Sequence, residues 1–88
     1  MMINSKVAVI VVNWKKYDIT SSCIESILNS TNSNFKIILV DNESDNKKVK
    51  NFKYRNKIEI IQNKQNEGFS KANNIGIDYA LKNNFDYT

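Results

Sequence analysis

Histidine and proline are absent from these 88 residues, cysteine occurs once and glycine twice. Without histidine, neither a Ser-His-Asp nor a Cys-His nucleophile system can be assembled. The single cysteine, Cys23, excludes an internal disulfide framework and a cysteine-built zinc site. A metal would have to be held by carboxylates and carbonyls, a donor set that suits Mg²⁺ or Mn²⁺. Long apolar runs are missing as well. The longest near the start, residues 7–12 (Val-Ala-Val-Ile-Val-Val), has six members, where a bilayer needs about 20. It is too short for a usual signal-peptide core, and no small-residue cleavage site follows it. The expected location is the cytoplasm, up to the inner face of the membrane, with Cys23 reduced.

What is present is ordinary globular composition, 41% hydrophobic and 25% charged. The length allows one domain with a thin core, burying roughly 60–65% of the unfolded surface. The net charge of +4 is compatible with nucleic acid, nucleotides or acidic lipid and selects none of them.

Apolar patterning alternates between two kinds of segment. Residues 7–12 form a β-branched run expected to be a strand covered on both faces. Asn13-Trp14-Lys15-Lys16-Tyr17 is a polar and aromatic connection, and Asp18 is the expected cap of a helix with Ile19, Cys23, Ile24, Ile27 and Leu28 on one face. Residues 35–40 give a second strand, and residues 41–46 a polar loop in which Ser44 or Asp45 can cap a short helix bearing Val49 and Phe52. Residues 58–61 give a third strand. Ser70 opens a helix to about Lys82, with Ala72, Ile75, Gly76, Tyr79 and Ala80 inward. A glycine within a helix costs about 1 kcal/mol against alanine, so Gly76 is expected where helix and sheet approach closely. Phe85-Asp86-Tyr87-Thr88 reads as the start of a fourth strand. The resulting β-α-β-α-β-α-β order predicts an α/β fold, a Rossmann-like three-layer sandwich with a mostly parallel sheet and right-handed crossovers. A fourth strand that only begins suggests a piece of a longer protein.

Ligands of open α/β sheets bind beyond the carboxyl ends of the strands. That places residues 13–17, 41–46 and 63–69 on the shortlist. Asp41, closing the second strand, is placed to accept bonds from ribose hydroxyls or a base N–H, or else to cap the next turn. Trp14 and Tyr17 either stack on a base or sugar or plug the top of the core. Residues 12–19 contain no glycine, which weighs against a dinucleotide-binding dehydrogenase, and no P-loop run occurs. Lys47, Lys48, Lys50, Lys53, Arg55 and Lys57, with Phe52 and Tyr54 between them, form either a phosphate-binding stretch or a solvated face. Cys23 is expected to be a small core residue.

Three stretches, taken together, resemble a family. They are residues 9–14 (Val-Ile-Val-Val-Asn-Trp) with the helix that follows to Leu28, residues 38–45 (Ile-Leu-Val-Asp-Asn-Glu-Ser-Asp), and residues 63–77, with their Gly-Phe-x-x-x-Asn-Asn-x-Gly spacing. In this order they are similar to the N-terminal part of the family-two inverting glycosyltransferases, in the rhamnosyltransferase-like branch of the GT-A fold. The resemblance implies transfer of a sugar from a nucleoside diphosphate sugar, UDP- or dTDP-linked, to an acceptor hydroxyl in surface polysaccharide synthesis. It implies that Val12, Asn13 and Trp14 line base and ribose, that Asp41 and Asn42 meet the base or ribose, and that Gly68, Phe69 and Asn73 lie near the nucleotide. The family's Asp-x-Asp motif, which holds Mg²⁺ or Mn²⁺ on the diphosphate, and its later catalytic base would fall beyond residue 88, since Asp86-Tyr87-Thr88 is not that motif. This chain, an incomplete GT-A nucleotide-binding half, is therefore expected to lack transferase activity alone and to bind nucleotide weakly.

In that fold the strand order is 3-2-1-4, so the edge of strand one is expected to drive self-association. Two other classes compete. A receiver-like module needs an acidic pair where Asn13-Trp14 stand. A nucleic-acid module lacks an aromatic sheet motif or recognition helix, so no nucleic-acid partner is expected.

Overall fold

The computed structural model describes residues 7–30 and 35–83. Strands β1 (Val7–Trp14), β2 (Phe35–Asn42) and β3 (Glu59–Gln62) alternate with helices α1 (Tyr17–Leu28), α2 (Asn46–Lys50) and α3 (Phe69–Lys82). The sheet order is β1-β2-β3, and both pairings are parallel. The α/β, Rossmann-like class follows from that. The fourth strand expected at residues 85–88 lies outside the described residues.

Strand alternation sorts the apolar side chains onto two faces. Ile37 and Leu39 of β2 pack with Ile24 of α1 and with Phe52, Tyr54 and Ile58, while Val9, Val11, Ile27 and Ile60 border them. Ile38 and Val40 pack with Ala8 and with Ala72 and Ala80 of α3, bordered by Ile10, Val12, Ile61, Ile75 and Tyr79. Residues 37–40 are at most 1% exposed, so the continuous apolar run of β2 does mark a strand covered on both faces. β1 is likewise covered on both faces, by Val9 and Val11 toward α1 and by Ala8, Ile10 and Val12 toward α3. Most of its residues are nevertheless only half-buried, because among the described residues β1 has β2 as its one neighbour and its outer edge is open.

Gly76 sits where expected. A Cβ there would stand 2.6 Å from Ile10 Cγ2 and 3.1 Å from Val40 Cγ2, so α3 lies so close to the sheet that a side chain would force Ile10 to shift. Gly68 precedes α3 at φ +81°, a backbone state that favours glycine, and its N–H is accepted by Asn66 Oδ1 at 2.8 Å.

Helix α1 departs from its sequence pattern. Lys16, not Asp18, is the N-cap residue, with no side-chain cap bond. Ile19 is 64% exposed and Cys23 is exposed, so neither joins the core. The inward face is Tyr17, Thr20, Ile24, Ile27 and Leu28. Polar bonds made by Tyr17 and Thr20 set this rotation and turn Ile19 about 100° away from the sheet. At α2, Asp45 is the cap, accepting the N–H groups of Lys47 (3.0 Å) and Lys48 (3.3 Å).

Candidate nucleotide-binding rim

The in-register pairing of β1 and β2 sets Asn13 beside Asp41 and Trp14 beside Asn42 at the carboxyl ends of the strands. Both asparagines and Asp41 lie within strands, and Tyr17 begins α1, so the first connection is shorter than residues 13–17.

Asp41 is fully buried and turned toward the α1 side. Its Oδ1 accepts Asn13 Nδ2 at 2.9 Å. Its Oδ2 accepts the Tyr17 hydroxyl at 2.7 Å and lies 3.1 Å from Ser44 Oγ, which also lies 3.3 Å from Gln62 Oε1. Thr20 Oγ1 donates to Asn13 Oδ1, and the Asp45 N–H donates to the Tyr17 hydroxyl at 3.2 Å. One carboxylate thus ties the ends of β1 and β2 to the first turn of α1 and to the cap of α2. It does not cap a turn itself. Such a network is worth most when every member is satisfied, and no buried side-chain polar atom among the described residues lacks a partner. Burial, and then the bond to Asp41, raises the Tyr17 phenol above its ordinary range, so it stays protonated and donates.

Asn42, next in sequence, points to the other face. Its Oδ1 accepts Asn63 Nδ2 at 2.9 Å and, at 3.5 Å, the Glu67 N–H; its Nδ2 donates to the Gly68 carbonyl at 3.4 Å. Backbone bonds Asn63 N to Asp41 O (2.9 Å) and Ser44 N to Asn63 O (2.8 Å) complete the clamp on the loop before α3.

Two non-glycine residues, Lys15 and Glu43, leave the paired strands at φ +58° and +54°. Left-handed backbone at such residues is uncommon and gathers at functional sites. Their side chains meet at 3.6 Å. Trp14 is 49% exposed, donates its indole N–H to Glu43 Oε2 at 2.8 Å and has Lys15 Nζ 5.5 Å from its ring centre. It is therefore an exposed platform held in place, not a plug over the core. The bond from Trp14, then the charge of Lys15, holds the Glu43 carboxyl below its usual range. Lys15, Tyr17, Glu43, Asp45 and Lys48 line a pocket of about 290 Å³ beside this platform. A second groove of about 330 Å³ runs between Ser44, Asn46, Gln62, Asn63 and Lys64.

Of the residues singled out from sequence, Asn13 meets Asp41, and Asn42 meets Gly68. Trp14 stands at the rim with its backbone paired beside Asn42 and its indole bonded to Glu43. Val12 packs into the α3-side core, Phe69 is 68% exposed, and Asn73 lines a groove with Val7, Val9, Ile10 and Ile77. Glu43, Ser44 and Asn63 lie in the shortlisted loops but carried no site role in the sequence reading, where Ser44 figured only as a possible helix cap, and Thr20 lay outside the shortlist. The equal lengths of the runs before Asn13 and Asp41 carried a hint of their pairing. Phe52 and Tyr54 are buried, so the aromatics of the basic stretch are not offered to nucleic-acid bases. Among the described residues no group of three Cys, Asp or Glu side chains could hold a metal ion, and no helix is long and apolar enough to cross a membrane.

Comparison with known proteins gives a consistent result. The family model described as Glycosyl transferase family 2 matches residues 8–84. A protein described as an uncharacterized glycosyltransferase of Rickettsia bellii (strain RML369-C) is 36% identical over 76 residues, which cover 84% of this chain and 11% of that protein.

Proposed function

The chain belongs to glycosyl transferase family 2, and from that premise we propose that it forms the nucleotide-binding part of an enzyme that moves a sugar from a nucleoside diphosphate sugar to an acceptor hydroxyl. The finer reading is a UDP- or dTDP-linked donor, a hexosyl group transferred with inversion, and a place in surface polysaccharide synthesis. The observation that carries it is the exposed, doubly held indole of Trp14 at the carboxyl rim of a parallel sheet, where α/β folds take their ligands. Its ring offers a base a stacking surface. Asn13 and Asn42 shape the floor beneath it, with Val12 behind, and the Gly68-Phe69 turn and Asn73 flank the nucleotide. Asp41 acts first as the group that positions Asn13 and Tyr17. It meets a base or ribose only when Tyr17 or Ser44 releases Oδ2.

A divalent Mg²⁺ or Mn²⁺ would be held by residues other than those described, so the 88 residues alone should transfer no sugar. The outer edge of β1, with its groove of Val7, Val9, Ile10, Asn73 and Ile77, is the proposed surface of self-association. Light scattering that stays monomeric at high concentration would refute that part. The nucleotide reading is tested by NMR titration with UDP and dTDP. Saturable shifts of the Trp14 indole and the Asn13 and Asn42 amides are expected at millimolar nucleotide. Spectra that stay unchanged there, or that move equally with any phosphate salt, sink it.

A further inference from the structure

We propose that residues 46–57 form a docking surface for an anionic phospholipid bilayer. Six cations, Lys47, Lys48, Lys50, Lys53, Arg55 and Lys57, fall within eleven residues, and no acid occurs between Asp45 and Glu59. All six are exposed. None forms an ion pair among the described residues, whereas Lys15, Lys36 and Lys71 elsewhere each have a carboxylate partner. Asp18 and Asp45 share a depression with Lys47, Lys48 and Lys53, and Asp45 is already engaged by two backbone N–H groups.

The apolar members of the stretch fix which side faces out. Phe52 and Tyr54 are each 8% exposed and Ile58 is 6% exposed, all three anchored in the core beneath. The cations between them are thereby held on the outer surface. This arrangement discriminates among anionic partners. Both aromatics of the stretch are buried, and the neighbouring Tyr17 ring already carries Lys48 Nζ 5.5 Å from its centre, so the stretch offers no row of free rings such as single-stranded nucleic acid requires. Helix α2 has five residues, too few to read a duplex groove. Five of the six charges are lysines, compact charges on flexible stems with no bidentate demand. A laterally spread layer of phosphodiester headgroups asks only for such a cluster. The surface meets the Trp14 rim only through Lys48, which also lines the pocket there, and the variant below leaves Lys48 in place, so the two readings are tested separately.

The test is co-sedimentation of the 88-residue chain with vesicles containing phosphatidylglycerol, against phosphatidylcholine vesicles, at low and high salt. Partitioning should favour the anionic vesicles by at least about a hundredfold at low salt and weaken as salt rises. The Lys47→Gln/Lys50→Gln/Lys57→Gln variant, checked for folding by circular dichroism, should lose about a hundredfold, at about fivefold per lysine. A matched Lys64→Gln/Lys71→Gln/Lys82→Gln variant should stay within about threefold of the parent. Equal loss in both triple variants, no preference for anionic vesicles, or tighter binding to mixed-sequence RNA at the same salt would each overturn the proposal.

Discussion

Two neighbouring residues of β2 do similar work on opposite faces of the sheet, by different means. Asp41 faces α1 and gathers side chains at 2.7 to 3.1 Å. Asn42 faces α3 and holds mostly the loop before it, at 2.9 to 3.5 Å. A buried carboxylate takes several donors strongly, and bonds to charge are worth more than neutral ones. A neutral amide donates and accepts, which suits a loop that presents both carbonyl and N–H groups. The α1 side is thus cross-linked by chemistry. On the α3 side, close packing at Gly76 does most of the fixing.

The strongest way to break this contrast is to remove the carboxylate. Asp41→Ala leaves Asn13 and Tyr17 with buried donors and no acceptor, and should cost about 3 kcal/mol. Asn42→Ala should cost about 2 kcal/mol. Urea denaturation of both variants checks the order, and a larger loss at Asn42 would reverse it. Next comes packing on the other face. Gly76→Ala forces α3 off Ile10 and should cost about 2 kcal/mol, the usual scale of overpacking, read as a lower thermal midpoint.

Tyr17→Phe is milder, about 1 kcal/mol, since it removes one donor from a carboxylate that keeps two. It carries a pH signature as well. The folded Tyr17 phenol is raised above 10.0, so its contribution is complete below that value and is lost as pH climbs through the folded pKa. The parent should therefore lose stability above pH 10 more steeply than Tyr17→Phe. The smallest effect belongs to the exposed rim. Glu43 is held below 4.5, so its bond to Trp14 persists above that value and fades as pH falls through the lower folded pKa. Trp14 fluorescence should change in that acid range, and Glu43→Gln should remove the change.

The alternation of elements was legible because apolar runs of β-branched residues and 3.6-residue periods are local signals. Gly76 was legible because a glycine inside a helix is a local anomaly. The face of α1 was not. Ile19 and Cys23 satisfied the helical period, yet Thr20 took the inward place, since its hydroxyl had a partner in Asn13 on another element. The role of Asp18 failed in the same way, because Tyr17 was drawn into the first turn by Asp41. Exposed Trp14 was expected as either plug or platform, and the choice rested on Glu43, 29 residues away.

By itself the sequence determined a parallel α/β chain, its punctuation and the family whose motifs it carries, because each is written in residues close together along the chain. Only the tertiary structure decided which polar groups meet at the rim, how α1 is rotated and that the carboxylate of Asp41 is spent inward. Those outcomes depend on register between strands, and register brings together side chains that no local pattern links.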